Sequence, residues 1–402
     1  MKVIQINTTL NWGSHGRIAE EIGLLVQKEG STNYIFYGRH SNLSAFSSFK
    51  FNNKIDFYMH IMQTRLFDRH GLASKNATYR IIDKIKEIKP DIIHLHNIHG
   101  YYLNYKILFN FLSNSNIPIV WTLHDCWPYT GHCAYYSYTK CKLWKTECHN
   151  CPQKNTYPVS WIKDRSKQNF LDKKRAFISV ENLTIVPVSN WLAHEIKESF
   201  LNKFPIKVIH NGIDLDVFYP RNVLKKDFSL NNEFIILGVA SIWEGRKGLD
   251  DFIQLRNLLS SEYVIILIGL TQKQINKLPK GIIGITRTNS TEELAQYYSV
   301  ADLYVNFSVE ETFGMTTCES LACGTPVIVY NSTASPEIVS KDTGYIIEPS
   351  NFEGVIEAIQ IIKRRGKNQF QNECRQRAIQ YFNKDDKYKE YLNLYQSLLN
   401  KN

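Results

Sequence analysis

Long apolar runs are missing from this sequence. The longest, Tyr-Val-Ile-Ile-Leu-Ile-Gly-Leu at 263–270, falls far short of the roughly 20 residues that span a bilayer. Export is not expected either, because the opening Met-Lys-Val-Ile-Gln turns polar by residue 5 and no hydrophobic signal core follows. The expectation is a cytoplasmic protein. Charged residues make up 21% of the chain and apolar ones 43%, which excludes a disordered or fibrous polymer. Acidic residues are short in one region only. Up to residue 210 there are 27 Lys and Arg against 15 Asp and Glu, a net +12; the remainder has 21 against 23, or −2. A basic half suits nucleic acid, an anionic membrane surface or a phosphorylated ligand, and equally a surface biased for solubility.

What is present is a repeated grammar. A chain of 402 residues exceeds what one hydrophobic core usually supports, so two domains are expected. Short apolar runs at 2–7, 33–38, 91–97, 117–125 and 183–189 alternate with helical spacing in the first half. Runs at 233–241, 263–270, 281–286, 303–308 and 325–330 repeat the scheme. Nearly continuous apolar strands separated by helices predict parallel sheets covered on both faces. The fold class is therefore α/β, with two Rossmann-like doubly wound domains, 1–207 and 208–382, facing each other across a cleft at the carboxyl ends of their strands. The segment 383–402, with helical spacing of Tyr and Leu, reads as a last helix packing back on the first domain.

Two motifs carry chemistry. In the first, Glu311 and Glu319 bracket a Phe313-Gly314 step between a strand and a helix expected to start near Gly314. Amides around Gly314, Met315 and Thr316 favour an anion, and the bare glycine admits a ligand closely. Carboxylates only accept hydrogen bonds and take two at once, so one on each side of a bound phosphate suits sugar hydroxyls. In the second, Arg246 and Lys247 precede or open a helix expected near Lys247. Two cations there are unfavourable unless an anion, or Asp250 and Asp251, compensates them. A diphosphate explains the arrangement as a leaving group whose charge is neutralised.

With Glu-Glu-Thr-Phe-Gly at 310–314, Glu-Ser-Leu-Ala-Cys-Gly-Thr-Pro-Val-Ile at 319–328, Arg-Lys-Gly at 246–248 and Asn-Gly-Ile-Asp at 211–214, the chain resembles retaining nucleotide-sugar glycosyltransferases of family 4, which have the GT-B fold. The likeness covers nearly the whole length and is closest to transferases of capsule, O-antigen and colanic-acid assembly, including their cysteine-bearing insert. It implies that Glu311 holds donor-sugar hydroxyls, Glu319 the ribose, and Arg246 and Lys247 the diphosphate, with Phe313, Gly314, Met315 and Thr316 completing the donor site. It implies further that Gly13 and Gly16 belong to a glycine loop after the first strand and that His124 is the active-site histidine. The catalytic set is thus His124, Arg246, Lys247 and Glu311. No cofactor is expected for the chemistry. The implied partners are a UDP- or GDP-sugar and a glycan or undecaprenyl-diphosphate-linked acceptor, with peripheral membrane contact through the basic half and no nucleic acid. Three departures stand out. Ser14 replaces a second loop glycine, Ser241 a frequent arginine, and Asn-Ser-Thr-Ala-Ser at 331–335 a usual Gly-Gly.

Cysteine is sparse except at 126–151, where five of the eight occur. A cytoplasmic chain should not need disulfides, and Cys133, Cys141, Cys148 and Cys151 supply four thiolates for a structural zinc site. Buried reduced thiols are the alternative. His94, His96 and His99 read as polar strand-edge residues without a metal. Two rival functions stay open at this level: a nucleotide-sugar epimerase of the same fold, and a nucleic-acid-binding zinc protein.

Overall fold

The computed structural model describes residues 1–228, 230 and 232–400. The chain forms two compact units, Met1–His210 joined by the residues from Lys387 on, and Asn211–Asp386. Among the described residues each unit is built on one six-stranded parallel sheet.

In the first unit the strands are β1 (Lys2–Asn7), β2 (Thr32–Tyr37), β3 (Ser47–Lys50), β4 (Ile92–Leu95), β5 (Ile119–Leu123) and β6 (Leu183–Pro187), in the order β3-β2-β1-β4-β5-β6. The second has β7 (Phe234–Val239), β8 (Tyr263–Ile268), β9 (Ile282–Ile285), β10 (Leu303–Asn306), β11 (Val327–Tyr330) and β12 (Gly344–Ile347), in the order β12-β11-β10-β7-β8-β9. Both orders are the same doubly wound pattern: the first strand of each sheet lies beside its fourth, and the winding reverses there. The sequence predicts five strands per half. The two it lacks, β3 and β12, are four-residue edge strands with only partial burial, so they carry little apolar signal.

The core follows from the central strands, which are buried on both faces. On the first sheet lies the helix Gly13–Lys28, whose Ile18, Ile22 and Val26 recur at four-residue intervals and are fully or almost fully buried. Each such side chain contributes about 1.5–3 kcal/mol by leaving water. The same cluster takes in the last helix, Lys384–Leu399, through Tyr388, Tyr391, Leu392 and Tyr395. Two hydroxyls tie that helix to the sheet within the first unit. Thr122 Oγ1 donates to Tyr391 at 3.1 Å, and the Tyr395 hydroxyl meets His94 Nδ1 at 2.6 Å.

Candidate functional site

In the second unit, three loops leave the carboxyl ends of β7, β10 and β11 and converge beside the reversal point between β7 and β10. The loop after β7 ends in a 3₁₀ turn, Gly245–Lys247, and the helix starts only at Leu249. The expected start near Lys247 is therefore two residues early. Gly248 is the reason: it adopts φ +73°, and a Cβ there would lie 2.5 Å from that of Phe307. Arg246 and Lys247 thus sit on the turn ahead of the helix, not inside it. The loop after β10 is stitched to them. Val309 N donates to Arg246 O at 2.9 Å, Arg246 Nη1 donates to Glu310 O at 3.2 Å, and Lys247 Nζ pairs with Glu311 Oε1. The loop after β11 closes the group, since Glu311 N donates to Thr333 Oγ1 at 2.8 Å and Ala334 N to Glu311 O.

The electrostatics are those of a mutually neutralised pair. Burial alone would raise the Glu311 carboxyl, but Lys247 and then Arg246 outweigh it, leaving the group below the usual carboxylate range. Burial lowers the Lys247 ammonium, and Glu311 opposes that shift. Beyond them Gly314 precedes the helix Met315–Ala322 with φ +109°, a conformation that glycine tolerates and that brings backbone amides to the surface of the turn. The first amides of a helix lack partners within it, and its dipole favours negative charge at that end.

Structure and sequence divide the other residues of this motif. Phe313 is buried and packs edge-on to Phe382 at 5.8 Å, so its role is packing. Thr316 Oγ1 accepts from the Tyr304 hydroxyl at 2.7 Å, and Met315 is half-buried beside it. Glu319 is 8% exposed and accepts from the Tyr298 hydroxyl at 2.9 Å. Tyr298 carries no signal in the sequence, and Thr333 stands out there only within the departure at 331–335; folding alone brings them to the two glutamates. The chain's one Asp-x-Asp spacing, Asp214 and Asp216, is structural: Asp214 accepts from the Asp216 amide at 3.0 Å and pairs with Lys384 at 2.8 Å.

In the first unit, polar residues gather at the equivalent reversal point, between β1 and β4. Gly13 opens the helix after β1 with φ +68°, while Gly16 is buried where a Cβ would lie 2.7 Å from Thr9 Oγ1. His124, just past β5, stacks on His96 at 5.5 Å, and its Nε2 is 3.2 Å from His96 Nδ1. The proton positions follow from the far end of the chain. The Gln5 amide nitrogen donates to Ala19 O and Asn33 Oδ1, so Gln5 Oε1 accepts from His96 Nε2 at 2.8 Å. His96 Nδ1 is then an acceptor, His124 Nε2 carries the proton, and His124 Nδ1 keeps its lone pair. Burial, then His96 and His15, push the His124 imidazolium well below its ordinary range, so the ring is neutral at pH 7. Nearby, His99 Nε2 meets Asp125 Oδ2 at 2.8 Å. His94 lies within the first sheet against Tyr395 and Thr122, so the three histidines read as strand-edge residues are buried members of polar networks.

All eight cysteines are free thiols. Among the described residues no group of three or more His, Cys, Asp or Glu is arranged to hold a metal ion. The four cysteines expected to share zinc, Cys133, Cys141, Cys148 and Cys151, act on one another: Cys151 and Cys148 on Cys133, and Cys141 and Cys151 on Cys148. Cys148 Sγ accepts from Gly131 N at 3.2 Å, and Cys133 is hydrogen-bonded to Cys151. The neighbouring His132 is committed to Asp68 at 2.6 Å.

Two doubly wound sheets, with cations and carboxylates meeting at a reversal point, define the class of GT-B glycosyltransferases, and solved structures agree on the fold. Sucrose-phosphate synthase from Thermosynechococcus elongatus matches with a TM-score of 0.74 at 15% identity, over 100% of both chains. Anabaena HepE in complex with UDP and glucose matches with a TM-score of 0.68 at 14% identity, over 99% of this chain and 100% of that one. The family described as Glycosyltransferase Family 4 matches residues 34–217, and that described as Glycosyl transferases group 1 matches 233–363. The chain belongs to the family 4 glycosyltransferases. A putative colanic acid biosynthesis glycosyl transferase of Escherichia coli (strain K12) is 23% identical across 99% of this chain and 100% of its own length. An uncharacterized 41.2 kDa protein in the cps region of Klebsiella pneumoniae is also 23% identical, over 86% of this chain and 93% of that one.

Proposed function

We propose that this protein is a retaining glycosyltransferase of surface polysaccharide biosynthesis, moving a sugar from a UDP- or GDP-sugar to a glycan or an undecaprenyl-diphosphate-linked acceptor. One observation carries the proposal. The Lys247–Glu311 pair, with Arg246 beside it, stands at the reversal point of the second sheet next to the N-terminus of Met315–Ala322. Without a ligand the two charges neutralise each other. A nucleotide sugar supplies a better partner for each: the diphosphate for Lys247, Arg246 and the helix amides, and the sugar hydroxyls for Glu311. Glu319, oriented by Tyr298, takes the ribose.

The acceptor hydroxyl attacks the anomeric carbon from the face that the diphosphate is leaving. The bond from that carbon to the phosphate oxygen breaks, the bond to the acceptor oxygen forms, and the departing phosphate takes the proton. The protein positions both groups and stabilises charge on the leaving group. The family resemblance assigns His124, whose ring is neutral, to the donor sugar. The matches to a colanic acid biosynthesis protein and a cps-region protein support a surface-polysaccharide acceptor. Among the described residues no helix is long and apolar enough to cross a membrane.

A thermal-shift panel of UDP, GDP and ADP with their sugars tests the donor. A specific nucleotide at 100 times its dissociation constant adds about 2.7 kcal/mol of stability. Proton NMR of the product tests retention. No shift with any nucleotide, or a product of inverted configuration, overturns the proposal. Isomerisation of the donor in the absence of acceptor assigns the chain to the epimerases instead.

A further inference from the structure

The loop after β4 holds a bulky residue in a backbone conformation that side chains disfavour. Tyr101 has φ +71°, and such strain persists only where the surroundings over-determine it, most often beside a ligand. Two bonds fix it here. Gly100 N donates to His70 Nε2 at 3.2 Å, and Asn52 Nδ2 donates to Tyr101 O at 2.9 Å. Arg39, two residues past the end of β2, stands against the same ring. Its Cζ lies 5.9 Å from the centre of the Tyr101 ring and 5.0 Å from that of Phe57, on the helix Lys54–Phe67. The strands β2 and β4 lie on either side of β1 and run parallel to it. Both residues therefore leave the carboxyl edge of the sheet, where open α/β sheets take ligands.

Donors outnumber acceptors at this edge. Among the described residues the half-buried Arg39 side chain forms no ion pair and no hydrogen bond, and its Nε is enclosed without a partner. Aromatic faces offset a guanidinium charge only in part. His70 repeats the imbalance. Burial keeps its ring neutral at pH 7 and its Nε2 accepts from Gly100, so Nδ1 carries a proton that no acceptor meets. This residue is 3% exposed, and its ring lies 4.8 Å from that of Tyr101 and 5.7 Å from that of Tyr157. The carboxylate at hand, Asp125, is already taken by His99 Nε2 at 2.8 Å and the Trp127 amide at 3.0 Å. Buried polar groups are paired in folded chains, so two unmet donors around one strained residue mark a place for a group that only accepts.

We propose that Arg39 binds an oxyanion of the acceptor, a carboxylate or a phosphate, and that Tyr101 and Tyr157 flank the sugar ring that bears it. A guanidinium presents its donors as a planar fork that matches either group, and partial burial strengthens the pairing. A neutral sugar would leave the charge unmet. Tyr157 is 37% exposed and its hydroxyl lies 3.1 Å from His99 Nδ1, so it offers an amphipathic face whose polar end is held in place. The inference rests on the function proposed above in one respect: the donor's diphosphate has its partners in the second unit, which leaves an anion at the edge of the first sheet to the acceptor. Arg39 then selects acceptors by charge, a role that neither His124 nor the Lys247–Glu311 pair supplies.

The test is ligand-observed NMR of the full chain with three probes: glucose, glucuronate and glucose 1-phosphate. At least one anionic probe should bind about tenfold or more tightly than glucose. Arg39→Gln should lower the affinity for that probe about tenfold to a hundredfold, the scale of a hydrogen bond to a charged group, and leave glucose unchanged. Arg39→Lys, which keeps the charge and loses the fork, should fall between the two. Lys247→Met should leave the same binding intact. Preference for glucuronate assigns the oxyanion to an acidic sugar of the glycan, and preference for glucose 1-phosphate to a phosphate; either supports the inference. Anion binding that survives Arg39→Gln, or that Lys247→Met abolishes, overturns it, because the probe then occupies the donor site. So does a loss of thermal stability in Arg39→Gln and Arg39→Lys with anion affinity unchanged, which leaves Arg39 a stacking role only. A chain that binds the anion through Arg39 but no nucleotide sugar overturns the proposed function and leaves the anion site standing.

Discussion

Replacing Lys247 with methionine separates a working ion pair from a structural one. The ammonium and the Glu311 carboxylate are only 17% and 15% exposed, so neither is well solvated when left alone. Removing one partner of a fully buried pair costs about 3–5 kcal/mol, and of an exposed pair less than about 1 kcal/mol. With this exposure, and with Arg246 still near Glu311, a cost of about 2 kcal/mol is expected. For a unit of this size that lowers the melting transition by about 4–8 °C. Turnover should fall about 10²-fold, the scale of a lost charge in the transition state. The double variant Lys247→Met/Glu311→Gln has no uncompensated charge and should regain most of the stability, to within about 1 kcal/mol of the parent. Its activity should stay lost, because the diphosphate and the sugar each lack a partner. Calorimetry and steady-state kinetics with a fixed acceptor read the two effects separately. Recovery of activity together with stability in the double variant refutes the reasoning, and so does a single variant that loses less than about threefold in kcat/KM.

Gln5→Leu removes the acceptor that sets the His96 and His124 tautomers; turnover should drop about tenfold with donor KM unchanged and a shifted pH profile, whereas a purely structural role would leave the profile in place. Gly314→Ala, at φ +109° and with Ile338 Cδ1 only 2.8 Å from the new carbon, should cost about 1–3 kcal/mol in thermal unfolding and raise donor KM. Tyr395→Phe deprives His94 Nδ1 of its partner and should destabilise the first unit by about 1–3 kcal/mol without changing nucleotide binding; an unchanged melting curve would show that the hydroxyl does not hold the last helix. Because Glu311 titrates lower in the folded chain than the ordinary glutamate value of about 4.3, its contribution to stability is complete above that value and is lost as pH falls through the folded value. Donor affinity should therefore be flat from pH 7 to about 5 in titration calorimetry, and a fall within that window would show that Glu311 is not depressed.

Much of the architecture was legible because buried parallel strands advertise themselves. The strands from β4 to β6 and from β7 to β11 are runs of Val, Ile and Leu that water would not tolerate, and their alternation with helices left few topologies. The edge strands escaped notice because Ser47–Lys50 and Gly344–Ile347 bury little and are held by backbone pairing to β2 and β11. The helix after β7 was placed too early because Arg-Lys-Gly looks like a helix start, while the positive φ of Gly248 depends on how close Phe307 comes. Glu311, Arg246 and Lys247 could be singled out as residue types. Their meeting, 64 residues apart in the chain, depends on strand order.

By itself the sequence determined what is local and periodic: two α/β units, a glycine-led helix after a paired acidic motif, two cations before another helix, and a basic first half. These follow from side-chain spacing and from the backbone freedom of glycine, which need no knowledge of the rest of the chain. The tertiary structure alone decided which charges neutralise one another, which tautomer His124 holds, and which rings Arg39 lies over. Those depend on distances between groups far apart in the chain and on exclusion of water, and both exist only once the sheets have ordered themselves.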